Sequence, residues 1–165
     1  MNASAHISAG LVAGMVGAHS RVRWIWRVAT AFSLGLLSHV VFDAIPHSDY
    51  RMFPRSTHLW LALCEIAVVG VIAGFIVRRR LIPGWAGCLF AGLVGSALPD
   101  AKFAARAILP ESIAQSVARY GDAFHSPFHA GRMSEPWLGL GIEIACAVVL
   151  LATLTVFPRS TKSVP

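Results

Sequence analysis

The chain has 165 residues, 56% of them hydrophobic and 13% charged, and it carries a net charge of +6. Its mean hydropathy is +0.64 and its pI is near 10.0. These values exclude a disordered tail and argue against a water-soluble globule. The basic charge does not point to nucleic acid, because the arginines flank apolar runs instead of gathering on one polar face.

Apolar runs bounded by arginines or by acidic and histidine residues predict helices over residues 4–19, 24–46, 58–77, 82–99 and 136–157. The expected fold is all-α, a polytopic membrane bundle of about five spans forming a single integral-membrane domain over 1–165. The first helix is short and rich in glycine and alanine, and its Gly10 and Gly14 form a G-x-x-x-G pair that predicts close packing on a neighbour. No positive segment precedes it, which argues against a cleaved signal peptide. Trp24, Trp26 and Trp85 at one set of helix ends, and Trp60 and Trp137 at the other, suit an interfacial aromatic belt. Residues 100–135 form an extramembrane loop, in which 110–120 place Ile113, Val117 and Tyr120 on one face of a short interfacial helix. Cys64, Cys88 and Cys146 show no paired spacing, so neither disulfides nor a thiolate metal site is expected.

Arg21, Arg23, Arg27, Arg78, Arg79, Arg80, Arg159 and Lys162 mark one side as cytoplasmic, which leaves the N-terminus outside and the C-terminus inside. A small arginine-flanked bundle of this kind fits a bacterial inner membrane. With this threading all the carboxylates, and every histidine except His19, fall toward the opposite face. His19 is expected to be solvated surface.

His39 and Asp43 lie four apart, so on a helix they point the same way one turn apart and can chelate one metal ion. His125 and His129 repeat that spacing in FHSPFH. His6 starts the first helix at the same face, and Asp100 ends the fourth. Glu65 and Glu143 each sit seven residues into an apolar helix, where an ionisable group is costly unless it faces a polar cavity. Imidazole and carboxylate ligands suit zinc, with manganese or iron as alternatives, and one or two ions. His58 has no spaced partner and reads as a supporting residue at most.

The segment GLLSHVVFDA from Gly35 aligns without gaps on GLVGSALPDA from Gly92, and Trp60 and Glu65 find counterparts in Trp137 and Glu143. The second and third helices therefore read as a copy of the fourth and fifth. Such a repeat would set Asp43 opposite Asp100 and Glu65 opposite Glu143.

AHISAG, LLSHVVFD, GSALPD and HSPFH together resemble the membrane-bound metal-dependent hydrolases that include the LexA-regulated inner-membrane group. The resemblance implies metal-site roles for His6, His39, Asp43, Asp100, His125 and His129. The run His39, Asp43, Pro46, His47 is also similar to the metal-binding segment of zinc-dependent phospholipases C, although its last histidine comes two residues earlier. The chain departs from the hydrolase pattern in placing the Pro-Asp segment after the His-x3-Asp helix, in having Ala5 before the first histidine, and in lacking a His-Arg pair before His125.

The expected function is a membrane-embedded, metal-dependent hydrolase acting at the non-cytoplasmic interface on a phosphoester of a lipid or lipid-linked substrate. Glu65 or Glu143 would serve as general base or further ligand, and Arg106, Arg119 or Arg132 would meet anionic oxygens. The alternatives are a metal-ion transporter built on the same ligands, and a structural membrane protein in which these groups only satisfy one another. Transport is disfavoured because the cytoplasmic halves of the helices offer only Thr30, Ser33, Thr153 and Thr155 as polar groups.

Overall fold

In a computed structural model that describes residues 3–47, 53–78, 85–125 and 135–157, those residues form seven α-helices and no strand. They are α1 (Ala3–His19), α2 (Trp24–Asp43), α3 (His58–Arg78), α4 (Trp85–Ala97), α5 (Ala101–Ile108), α6 (Glu111–His125) and α7 (Pro136–Val156). Prolines set several of the ends. α2 stops at Asp43 instead of 46, because Ala44 caps it and Pro46 disfavours helix in the residue before it. α4 gives way at Leu98–Asp100 to a single 3-10 turn, since Pro99 has no N–H to continue the ladder. The loop expected to hold one short helix holds two, divided where Leu109 turns extended ahead of Pro110. Pro136 opens α7 at a position whose N–H would have no partner within the helix.

Glycine places the core. α1, α2 and α4 pack against one another, and α7 and α3 lie against α1. A Cβ on Gly92 of α4 would run into the carbonyl oxygen of Gly10 and come within 2.7 Å of the Gly14 nitrogen. One on Gly35 of α2 would strike the Gly92 carbonyl oxygen and come within 3.0 Å of the Ser96 nitrogen. Three backbones thus meet at Gly92, as the G-x-x-x-G pair predicts, and dispersion between closely approaching chains can hold helices together even in lipid. The order of contacts also gives the directions. Gly10 faces Gly92 and Ser96 while Gly14 faces Cys88 and Leu89, so α1 runs antiparallel to α4. Gly87 meets Trp24 and Val28 while Gly35 meets Gly92 and Ser96, so α2 and α4 run parallel.

Among the described residues two helices, α2 and the Trp137–Val156 stretch of α7, are long and apolar enough to cross a membrane. The apolar stretch of α3, Trp60–Phe75, is shorter. Five spans is therefore more than helix length supports. The 17 residues of α1 and 13 of α4 rise ~25 and ~20 Å against a hydrocarbon core of ~30 Å. Large apolar side chains nonetheless cover the outside: Ile25 on α2, Val71 and Phe75 on α3, and Val148, Val149 and Val156 on α7 are each more than half exposed. A soluble monomer rarely presents so much apolar surface.

The aromatic belt needs one correction. Trp24, Trp26, Trp60 and Trp137 are exposed near helix starts, but Trp85 is buried in the core. His19, expected in solvent, is half-buried beside it with ring centroids 6.2 Å apart, and packs on Phe157 at 5.2 Å. Its Nδ1 lies 2.9 Å from the Met15 carbonyl one turn back, which supplies a partner that a sequence-level view of its arginine-rich neighbourhood does not reveal.

Candidate metal centre

His39 and Asp43 occupy successive turns on the buried side of α2, with Nε2 of the histidine 3.0 Å from Oδ2 of the aspartate. Because α1 runs antiparallel to α2, its first turn returns to the same level. There His6 brings Nε2 to 3.2 Å from the other carboxylate oxygen, Asp43 Oδ1. The two imidazoles stack at 4.2 Å with their planes 19° apart. All three side chains are buried, and one donor atom from each lies within 4.8 Å of the others.

The orientation of His39 comes from α4. Its Nδ1 lies 2.7 Å from the Ser96 carbonyl oxygen, which only accepts, so Nδ1 carries the proton. In a neutral ring Nε2 is then an acceptor, and it faces a carboxylate oxygen at 3.0 Å. Two acceptors at that distance repel unless a cation lies between them, either a proton or a metal ion. Atoms sharing a tetrahedral ion at ordinary zinc distances stand about 3.3 Å apart, close to the spacings here. The donor set therefore fits a divalent ion, and the Ser96 carbonyl supplies the outer hydrogen bond that metal-bound histidines usually make.

That carbonyl is available because Pro99 ends α4, leaving the last carbonyls of the helix without partners along the chain. Pro99→Ala would let α4 continue, so that the Asp100 N–H competes for Ser96 O. Metal affinity, read by competition with a chromophoric chelator, should fall ten- to a hundredfold while helix content by circular dichroism is unchanged. Unaltered affinity would mean that this carbonyl does not tune the centre.

The other expected site residues are placed as follows. Asp100 is near but outside the close group, its Oδ2 4.0 Å from His6 Nε2 and its side chain 32% exposed. Glu65, expected as a base or ligand, accepts the backbone N–H of Ser4 at 3.0 Å. It thereby satisfies one of the open donors at the start of α1, where a negative charge is favoured. Glu143 is wholly buried on α7, the helix that packs on α1 and α3, and like Glu65 it is outside the close group. His125 ends α6, and His129 lies outside the described residues. His58 meets only its local turn, with Nε2 3.1 Å from the Phe53 carbonyl. His47 is wholly buried, its Nδ1 2.7 Å from the Ile45 carbonyl.

The two segments aligned in the sequence meet in the structure. Its aligned glycines, Gly35 and Gly92, touch; His39 bonds to Ser96, the residue aligned with it; and the aligned Asp43 and Asp100 both approach one nitrogen of His6. α1, which has no copy, packs on helices of both segments. Sequence reasoning missed the Ser96 carbonyl, although GSALPD carries the signal in a proline three residues on. It also missed Lys102, which is buried against Asp122. No family model matches the chain, and no curated protein or solved structure gives a match either.

Proposed function

We propose that the chain is a membrane-embedded, metal-dependent hydrolase that acts on a phosphoester of a lipid or lipid-linked substrate near the non-cytoplasmic face. The observation that carries this reading is the buried meeting of His6 Nε2, His39 Nε2 and the Asp43 carboxylate from two antiparallel helices. Burying such groups is costly without a compensating role. Asp100, partly exposed at the edge of the group, is in reach to complete the ligand set from the open side. A divalent ion there would supply Lewis-acid polarisation and a water acidic enough to be a nucleophile near neutral pH. In this reading α2, α3 and α7 face lipid with their exposed apolar side chains, and α1 is enclosed among α2, α3, α4 and α7. Zinc is the first candidate, with manganese and iron next. The bundle sits in a bacterial inner membrane with its N-terminus outside.

The test is metal analysis of detergent-purified protein, followed by chelation and hydrolysis assays on short-chain lipid phosphomonoesters and phosphodiesters. About one equivalent of metal and a chelator-sensitive hydrolysis, restored by one of the three ions, are expected. A bound metal with no hydrolysis of either ester class would overturn the enzymatic reading and favour transport. Protons compete with the ion for imidazole nitrogen. Affinity should therefore fall as pH is lowered, approaching a hundredfold per unit if both histidines are released protonated. Equilibrium dialysis from pH 8 to pH 5 measures that slope, and a flat profile would exclude histidine ligation.

A further inference from the structure

α5 and α6 fold back on each other beside the 3-10 turn that carries Asp100. They enclose a cleft of about 560 Å³ with Arg106 on one wall, Arg119 and Asp122 on the other, and Ala114 and Ala118 at its floor. The carboxylates of the cleft are engaged within the protein. Asp122 Oδ1 takes the Lys102 ammonium at 2.7 Å, and Lys102 is buried with its stem laid over Gly121. Glu111 Oε1 takes the Gln115 amide at 3.2 Å, one turn along α6. Among the described residues Arg106 has one loose ion-pair contact, its guanidinium 4.0 Å from Asp122 Oδ2, and it is more than half exposed. Arg119 makes no ion pair among the described residues and is exposed. Two guanidinium forks therefore keep donors directed to the cleft, over small alanines that leave room for a ligand. Such forks match the oxygens of a phosphate group.

The outer side of the hairpin narrows the source of that phosphate. Ile113 and Tyr120 are exposed at 52% and 74%, and Ile113, Val117 and Tyr120 recur at helical spacing away from the alanine floor. An apolar stripe beside a basic cleft is the arrangement of a helix lying in the headgroup layer. The hairpin is also tied to the edge of the metal centre. Lys102 lies two residues beyond Asp100, and a Cβ on Gly121 would come 3.2 Å from the Pro99 carbonyl oxygen.

We propose that the cleft between α5 and α6 is a binding site for the phosphate of an anionic lipid headgroup, held between Arg106 and Arg119. The link to catalysis rests on the hydrolase reading; the binding itself does not require the metal. The test titrates detergent-purified full-length protein, by calorimetry, with dihexanoyl phosphatidic acid, dihexanoyl phosphatidylcholine and inorganic phosphate. Phosphatidic acid should bind, with phosphatidylcholine and inorganic phosphate at least tenfold weaker. Arg106→Gln and Arg119→Gln should each weaken phosphatidic acid binding roughly tenfold, the value of a lost charge-assisted bond, at unchanged metal content. Arg106→Lys should recover part of the loss. Asp43→Asn should leave this affinity within twofold, so loss of the metal and loss of the lipid site are read separately. Absence of phosphatidic acid binding, equal binding by both Gln variants and the native chain, or inorganic phosphate binding as tightly as the lipid would each overturn the proposal.

Discussion

Asp43→Asn is expected to abolish stoichiometric metal binding, weakening affinity by about a thousandfold or more, and to remove phosphoester hydrolysis with it. The substitution keeps the volume of the side chain and deletes its charge. Both oxygens are in use, Oδ1 3.2 Å from His6 Nε2 and Oδ2 3.0 Å from His39 Nε2, and no other carboxylate belongs to the close group among the described residues. Without Asp43 a dication would sit in a buried place with two neutral imidazoles, and desolvation would oppose it strongly. Metal per chain by elemental analysis is the primary readout. The same variant separates a metal from a proton. If the cluster holds only a protonated histidine against Asp43, removing the charge strands a buried cation, and stability falls by about 3–5 kcal/mol whether or not chelator is present. If it holds a metal, the variant should melt close to the metal-stripped native protein. Asp43→Asn carrying a full equivalent of tightly bound ion would refute the centre.

Gly92→Ala should be nearly as damaging without touching a ligand. The added methyl would meet the Gly10 carbonyl oxygen, the Gly14 nitrogen and the Gly14 Cα, all of them backbone, so no side chain can rotate away. Overpacking of this kind costs about 3 kcal/mol when neighbours cannot yield. The displacement separates α1 from α4, and so moves His6 away from the pair that α2 holds. A lowered melting temperature and weakened metal binding should appear together. Gly74→Ala on α3 is the matched control, since nothing lies within 4 Å of its added methyl. It should be neutral, or gain up to about 1 kcal/mol from helix propensity. If both variants melt alike, close backbone contact at Gly92 does not support the fold.

The helices were largely legible in the sequence because their ends are written in prolines, arginines and apolar runs. Convergence of His6, His39, Asp43 and Asp100 was legible for a related reason, as alternating helix directions bring those ends to one face. What could not be read was governed by contact. Glu65 looked like a buried acid available for chemistry, yet its nearest need is the open N–H of Ser4, from a helix some sixty residues earlier. Trp85 looked interfacial because it starts a helix, but the end of α1 covers it. The split between α5 and α6 was signalled by Pro110, though the burial of Lys102 against Asp122 depends on how the two helices fold back. Helix count and membrane crossing also came apart, because α1 and α4 are apolar runs too short to reach across alone.

The order in which the parts are made bears on assembly. All three close donors are synthesised within the first 43 residues, whereas the carbonyl that turns His39 belongs to Ser96. A nascent chain halted between them would carry the three close donors on a two-helix hairpin with nothing to fix the imidazole. Loading of the ion would then be a late event, delayed until α4 has slid into place against Gly10 and Gly35, and a chain truncated before that helix would hold its cargo loosely or lose it.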